Sequence, residues 1–280
     1  MKGPLFYSKI LLFGEYGIIK NSKGLSIPYN FYNGALKVDE NPNEIARASN
    51  KSLARFADYL EELQQEKPDL VQFDIAALKQ DVGAGMYFDS TIPQGYGVGS
   101  SGALVASIYD KYAFDKITVL ENLTREKLLK LKQIFGEMES FFHGKSSGLD
   151  PLNSYLSLPI LINSKDDIEP AGIPSQTPDG KGAVFLLDSG SVGETAPMVN
   201  IFMENMKQEG FRKMIKNQFV KHTDACVEDF LNGDVKSLFG NVKQLSKTVL
   251  RNFKPMIPAS FHDLWKQGLD TNDYYLKLCG

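Results

Sequence analysis

Cysteine, histidine and tryptophan are scarce in this chain, at two, three and one residues. Cys226 and Cys279 form no CxxC pair, so a disulfide framework and a zinc ribbon are both excluded and a reducing compartment is implied. His143, His222 and His262 lie far apart, without the HExxH spacing of a zinc hydrolase. No apolar run reaches the length of a membrane span. Lys9 and Glu15 interrupt the apolar N-terminal patch before a secretory core could form. An excess of either charge is also missing: 31 Lys plus Arg against 34 Asp plus Glu leave a net charge of -3. No global positive field therefore draws the chain to nucleic acid or a membrane surface, and it reads as cytoplasmic. What remains is ordinary globular composition, 42% hydrophobic and 23% charged over 280 residues, enough for one large domain or two.

The patterning is mixed. Residues 9–13 and 25–38 are β-rich, with Asn33-Gly34 suited to a hairpin turn. Over 43–67, Leu53, Phe56, Leu60 and Leu63 recur at helical spacing up to Pro68. Residues 71–75 and 86–91 read as strands, followed by a glycine-rich loop and a helix over 100–113. A helix over about 124–142 carries Leu128, Leu131, Phe135, Met138 and Phe142 on one stripe, and Thr124 with Lys127 makes an incomplete capping box. A strand over 154–162 precedes a Pro- and Gly-rich connection, which predicts a boundary between domains 1–170 and 171–280. Residues 183–188 (AVFLLD) predict the first strand of the second domain. Helical spacing over 197–270 is broken at Gly210, Gly233 and Pro255.

Three segments carry chemistry. Pro93-Gln-Gly-Tyr-Gly-Val-Gly-Ser-Ser-Gly102 is a glycine-rich turn between a strand and a helix. Gly95, Gly97, Gly99 and Gly102 would let backbone amides approach a phosphate at the helix N-terminus, with Ser100 and Ser101 adding hydroxyls, one of them able to hold a metal. The lysine of a Walker A loop is replaced by Gly99, the second strand of a Rossmann unit is absent after GVGSSG, and no VAIK, HRD or DFG occurs. Around the turn at 143–149, Glu139 and Asp150 supply two carboxylates. One can hold Mg²⁺ while the other orients or deprotonates a hydroxyl; equally, Glu139 is a solvated residue and Asp150 a turn cap before Pro151. Lys9, within an apolar strand, lies on the polar face of an edge strand or pairs with Asp150 and keeps it ionised. A weaker candidate is the loop from Asp188 to Thr195, which also reads as a plain turn with Thr195 as helix cap.

Taken together, Lys9-Ile-Leu-Leu-Phe-Gly-Glu15, Pro93 to Gly102 and His143-Gly-Lys-Ser-Ser-Gly-Leu-Asp150 resemble, in order and spacing, the three corresponding motifs of the GHMP kinases. The second is similar to PxxxGLGSS and the third to the HGxPSGxD of mevalonate kinases, the nearest branch. The resemblance implies an α+β, two-lobe fold with a ribosomal protein S5 domain 2-like N-terminal lobe, a ferredoxin-like helix-rich C-terminal lobe, and an active site in the cleft between lobes. It implies ATP and Mg²⁺ as cofactors, Ser101 and Glu139 as metal ligands, and phosphate-binding amides from Pro93 through Gly102. Asp150 and Lys9 become the catalytic pair facing an alcohol, and Glu15, Tyr16 and Thr195 lie near that acceptor. The implied activity is phosphorylation of the C5 hydroxyl of mevalonate for isoprenoid synthesis, with a homodimer expected. Phosphomevalonate kinase is the nearest alternative. Tyr16 after the Gly14-Glu15 pair resembles that branch, and Lys20, Lys23 and Lys145 are the candidate holders of a second phosphate. A further alternative is a nucleotide-binding relative without catalysis. The family's third glycine-rich motif would begin just after Leu278-Cys279-Gly280, so a fragment or a divergent relative is expected.

Overall fold

The computed structural model describes residues 4–39, 41–118, 123–174, 182–190, 192–193 and 195–279. These gather into two compact units. One holds the N-terminal segment through Ile10, Ile27–Pro93 and Val98–Leu158; the other holds Leu11–Ser26, Gln94–Gly97 and the chain from Pro159 onward. The units interleave along the chain rather than dividing at residue 170.

In the first unit, β1 (Phe6–Phe13) is the neighbour of β2 (Gly24–Val38), and β2 pairs antiparallel with β3 (Met86–Ser90), Leu36 facing Phe88 and Val38 facing Met86. Five helices complete it: α1 (Glu44–Glu66), α2 (Ile75–Gly83), α3 (Ser100–Tyr112), α4 (Arg125–His143) and α5 (Leu149–Leu156). Asn43 starts α1 by accepting the Ala46 amide at 2.8 Å, and the stripe Ala46, Leu53, Phe56, Ala57, Leu60 and Leu63 is buried. Each such large apolar side chain contributes about 2 kcal/mol. Thr124 likewise accepts the Lys127 amide at 3.3 Å, so the threonine alone caps α4. Helix α3, buried along Ala103, Val105, Ala106 and Ile108, packs between α4 and α5. That packing fixes the three helix ends that carry the candidate site.

In the second unit, residues Gly24–Ser26 of β2 pair antiparallel with β4 (Ile160–Ser164), which pairs with β5 (Asp167–Pro170). Among the described residues the rest of its regular structure is helical: α6 (Thr195–Asn205), α7 (Glu209–Met214), a π-helical stretch over Ile215–Val220, α8 (Lys221–Asn232), α9 (Val235–Asn252) and α10 (His262–Thr271). Phe202, Phe219 and Phe253 are fully buried here, and Tyr16 stacks on Phe202 with ring centroids 5.5 Å apart. Trp265 locks α10 to α9 by donating to the Ser246 hydroxyl at 2.7 Å.

Four expectations are corrected. Asn33-Gly34 is no hairpin turn, because β2 runs straight through it. Gly34 is needed because a Cβ there would stand 2.2 Å from the Phe88 ring. Residues 71–75 form only an isolated bridge from Phe73 to Ala113 before Asp74, whose side chain accepts the Ala77 amide, starts α2. The strand expected over 154–162 is the end of α5 followed by β4. Residues 183–188 form no ladder: Val184 and Phe185 are 71% and 85% exposed, and apolar β-formers make a strand only with a hydrogen-bonding neighbour.

Candidate active site

Lys9 sits in a strand whose residues are nearly all buried, and it is itself only 3% exposed, so it occupies no solvent-facing edge. A buried ammonium requires a partner. Its Nζ lies 3.1 Å from Asp150 Oδ1. The Lys9 amide donates to the Val98 carbonyl at 3.0 Å, and the lysine methylenes pass Gly99 so closely that a Cβ there would meet Lys9 Cγ at 3.0 Å. The strand therefore places the lysine under the glycine-rich turn.

That turn has the geometry its composition predicts. Gly95, Gly97 and Gly99 take φ of +78°, +69° and +82°, conformations that side chains with a Cβ rarely adopt. Helix α3 begins directly after Gly99 with no side-chain cap, so its first-turn amides at Ser100, Ser101 and Gly102 face outward as an anion cradle. Gly102 has a packing role as well. A Cβ on it would meet the Asp150 carbonyl carbon and the Pro151 nitrogen at 2.8 Å, so its absence lets α5 carry Asp150 against the start of α3. Pro93 leads into the turn. Within the second unit, Gly95 accepts the Gly193 amide at 3.0 Å.

Glu139, on the last turns of α4, is 4% exposed. Ser101 Oγ donates to its Oε1 at 2.8 Å, and His143 Nε2 stands 3.0 Å from the same serine oxygen. The Ser146 hydroxyl donates to Oε2. Burial, and next the negative charge of Asp150, push the Glu139 carboxyl up to about 7, while the bonds from Ser146 and Ser101 and the charge of Lys9 oppose the rise. Among the described residues no group of three or more His, Cys, Asp or Glu gathers as a metal cage. Ser101 and Glu139 offer a hydroxyl and a carboxylate, hard oxygen donors of the kind that hold Mg²⁺ when phosphate oxygens and water complete its shell.

The structure thus brings Lys9, Gly99, Ser101, Gly102, Glu139 and Asp150 together in one unit. Glu15 and Tyr16 belong to the other. There Glu15 is 3% exposed, neither of its carboxylate oxygens has an aligned hydrogen bond among the described residues, and Lys277 Nζ stands 3.2 Å from Oε2. Burial raises the Glu15 carboxyl above its ordinary range, with Lys277 opposing. Tyr16 is pushed up to about 12 by burial and by the neighbouring Glu15 charge. Thr195 opens α6, and its side chain lies outside the described residues. Sequence reasoning missed Ser146, His143 and Lys277. The first two lie within the HGKSSG turn already singled out, whereas nothing local ties Lys277 to Glu15.

The first unit is thus a mixed α/β fold with a glycine-rich turn, an uncapped helix start and a lysine-aspartate pair whose lysine is buried. Residues 49–157 match the family described as GHMP kinases N terminal domain. The solved structure of the Methanococcus jannaschii mevalonate kinase superposes with a TM-score of 0.50 at 15% identity, covering 89% of this chain and 80% of that one. A second mevalonate kinase structure superposes at 0.51 and 14% identity, covering 94% and 83%. These likenesses establish the fold. No curated protein matches the chain. Among the described residues no helix is long and apolar enough to cross a membrane.

Proposed function

We propose that the chain is an ATP- and Mg²⁺-dependent kinase that transfers the γ-phosphate to the C5 hydroxyl of mevalonate. The observation that carries this reading is the Lys9–Asp150 pair at 3.1 Å, set directly against Gly99 of the anion-binding turn. Phosphoryl transfer needs positioning and charge neutralisation more than covalent chemistry. Amides of the Gly95 to Ser101 turn hold the phosphates of ATP. Ser101 and Glu139 would hold Mg²⁺, which would supply positive charge to the transferred phosphate. Asp150 orients the acceptor hydroxyl and takes its proton, and the buried Lys9 ammonium, 3.1 Å away, pairs with its carboxylate. For the phosphomevalonate alternative, Lys23 pairs with Glu228 at 2.6 Å, which leaves Lys20 and Lys145 as the candidate holders of a second phosphate.

The test is ADP release with Mg-ATP and, separately, mevalonate, phosphomevalonate, galactose and homoserine. Release with mevalonate alone, lost in a folded Asp150→Ala variant, is the expected outcome. Release with another of the four reassigns the acceptor, and turnover at the parent rate by Asp150→Ala removes Asp150 from the mechanism.

A further inference from the structure

Ser146 stands where the HGxPSGxD motif has proline, and proline has no hydrogen to give. In this chain the Ser146 hydroxyl donates to Glu139 Oε2, and its oxygen accepts the Gly148 amide at 3.0 Å. Gly148 is the residue from which α5 starts, with Asp150 in the first turn. The turn that carries Ser146 is seated on α4. The Ser146 amide donates to Ser140 Oγ at 3.3 Å, and Ser140 Oγ donates to the Gly136 carbonyl at 2.7 Å. A Cβ on Gly148 would stand 2.0 Å from the Lys132 carbonyl oxygen, so the two segments touch backbone to backbone.

The two oxygens of Glu139 therefore have different holders. Oε1 faces Ser101, at the start of α3, and Oε2 faces Ser146, at the start of the turn into α5. A carboxylate gripped at both oxygens cannot rotate about its last bond, and the rotation that is stopped is the one that would turn Oε1 away from Ser101. We propose that Ser146 is a positioning residue: its hydroxyl fixes the Glu139 carboxylate for the metal and, through the Gly148 amide, ties that carboxylate to the helix start that presents Asp150. This rests on the reading of Ser101 and Glu139 as the Mg²⁺ ligands.

The test compares the parent with Ser146→Ala, Ser146→Cys and Ser146→Thr by calorimetric titration of ATP in Mg²⁺ and in EDTA, together with hydrogen exchange at the Gly148 amide. Loss of one hydrogen bond to a charged group predicts roughly tenfold weaker ATP binding in Mg²⁺ for Ser146→Ala. Binding in EDTA stays unchanged, the Gly148 amide exchanges faster, Ser146→Cys falls between, and Ser146→Thr restores parent values. A merely structural serine would weaken both titrations alike, and that result overturns the proposal. So does a Ser146→Ala or Ser146→Cys protein that binds Mg-ATP as the parent does, which leaves the site assignment standing. A parent whose ATP binding ignores Mg²⁺ overturns the assignment of the metal ligands, and this inference with it. Should Ser146→Ala fail to fold, the Ser146→Cys and Ser146→Thr pair decides.

Discussion

Lys9 Nζ and Asp150 Oδ1 lie 3.1 Å apart, but the two side chains differ in setting, 4% exposed for the lysine and 36% for the aspartate. The asymmetry decides what each substitution does. Removing the aspartate strands a buried ammonium, whereas removing the lysine leaves a carboxylate that water can reach. Asp150→Asn is therefore expected to destabilise the fold by about 2 kcal/mol, and Lys9→Met by less. The Lys9→Met/Asp150→Asn double variant recovers most of that stability while remaining inactive. Denaturant unfolding of the four proteins closes the cycle. Equal losses for both single variants would show that the pair is not the main partner of the lysine.

Gly144 and Gly148 flank the same turn with nearly the same positive φ, +71° and +73°, yet only one of them is crowded. Nothing lies within 4 Å of a Cβ built on Gly144, while one on Gly148 meets the Lys132 carbonyl oxygen at 2.0 Å and the Gly136 nitrogen at 2.7 Å. Gly144→Ala should cost only the backbone term, about 1 kcal/mol. Gly148→Ala should cost ~3 kcal/mol and lower kcat as well, because α5 and Asp150 must shift to make room. Thermal melts and initial rates of the two variants check this, and similar values for both would contradict it.

Much of this site was legible in the sequence because its signals are local. The alternation of glycines before Ser100-Ser101 dictates the turn, and the stripe from Leu128 to Met138 dictates the helix that ends near Glu139. Helices α1, α3 and α4 are long enough for their period to show. Helix α5 is two turns of LDPLNSYL running into β4, too short for its period to be separated from a strand's. Asn33-Gly34 misleads because Gly34 answers to the Phe88 ring, a neighbour distant in sequence, rather than to a turn. The pairing of Lys9 with Asp150 was open to guesswork from charge alone; that of Lys277 with Glu15 had no signal before the fold was seen.

Glu139 makes stability depend on pH in a direction opposite to that of a salt-bridged acid. Its carboxyl, ordinarily near 4.5, is raised to about 7 in the fold. Between those values the unfolded chain has released a proton that the folded chain still holds. Stability therefore falls as pH rises through that window and is level above it. The loss is at most ~3 kcal/mol, the equivalent of such a shift. Without Mg²⁺, Glu139→Gln should match the parent near pH 4.5 and exceed it in stability at pH 8, by urea unfolding. On the proposed role of Glu139 as a Mg²⁺ ligand, only the ionised form binds, so the parent's Mg²⁺ affinity should rise with pH up to about 7 and then level off. A parent and variant that keep a constant stability difference across this range would place the Glu139 titration elsewhere.

The Glu15–Lys277 pair joins a carboxylate 3% exposed to a lysine side chain 14% exposed, and Lys277 also stands over the Phe13 ring at 5.6 Å. Truncating the lysine removes the one cation among the described residues that opposes the desolvation of Glu15. The carboxyl responds by rising further or by forcing the site open, and either response costs stability. Lys277→Met should therefore destabilise the second unit by about 3 kcal/mol at pH values where Glu15 is ionised. The loss should shrink as pH falls, because protonation relieves the stranded acid. Glu15→Gln on the Lys277→Met background should restore most of the stability in that same pH range, since a neutral amide of the same shape needs no counter-charge. Were Glu15→Gln to add its own full loss to that of Lys277→Met, the two side chains would be acting independently, and Lys277 would owe its place to packing against Phe13 rather than to the charge of Glu15.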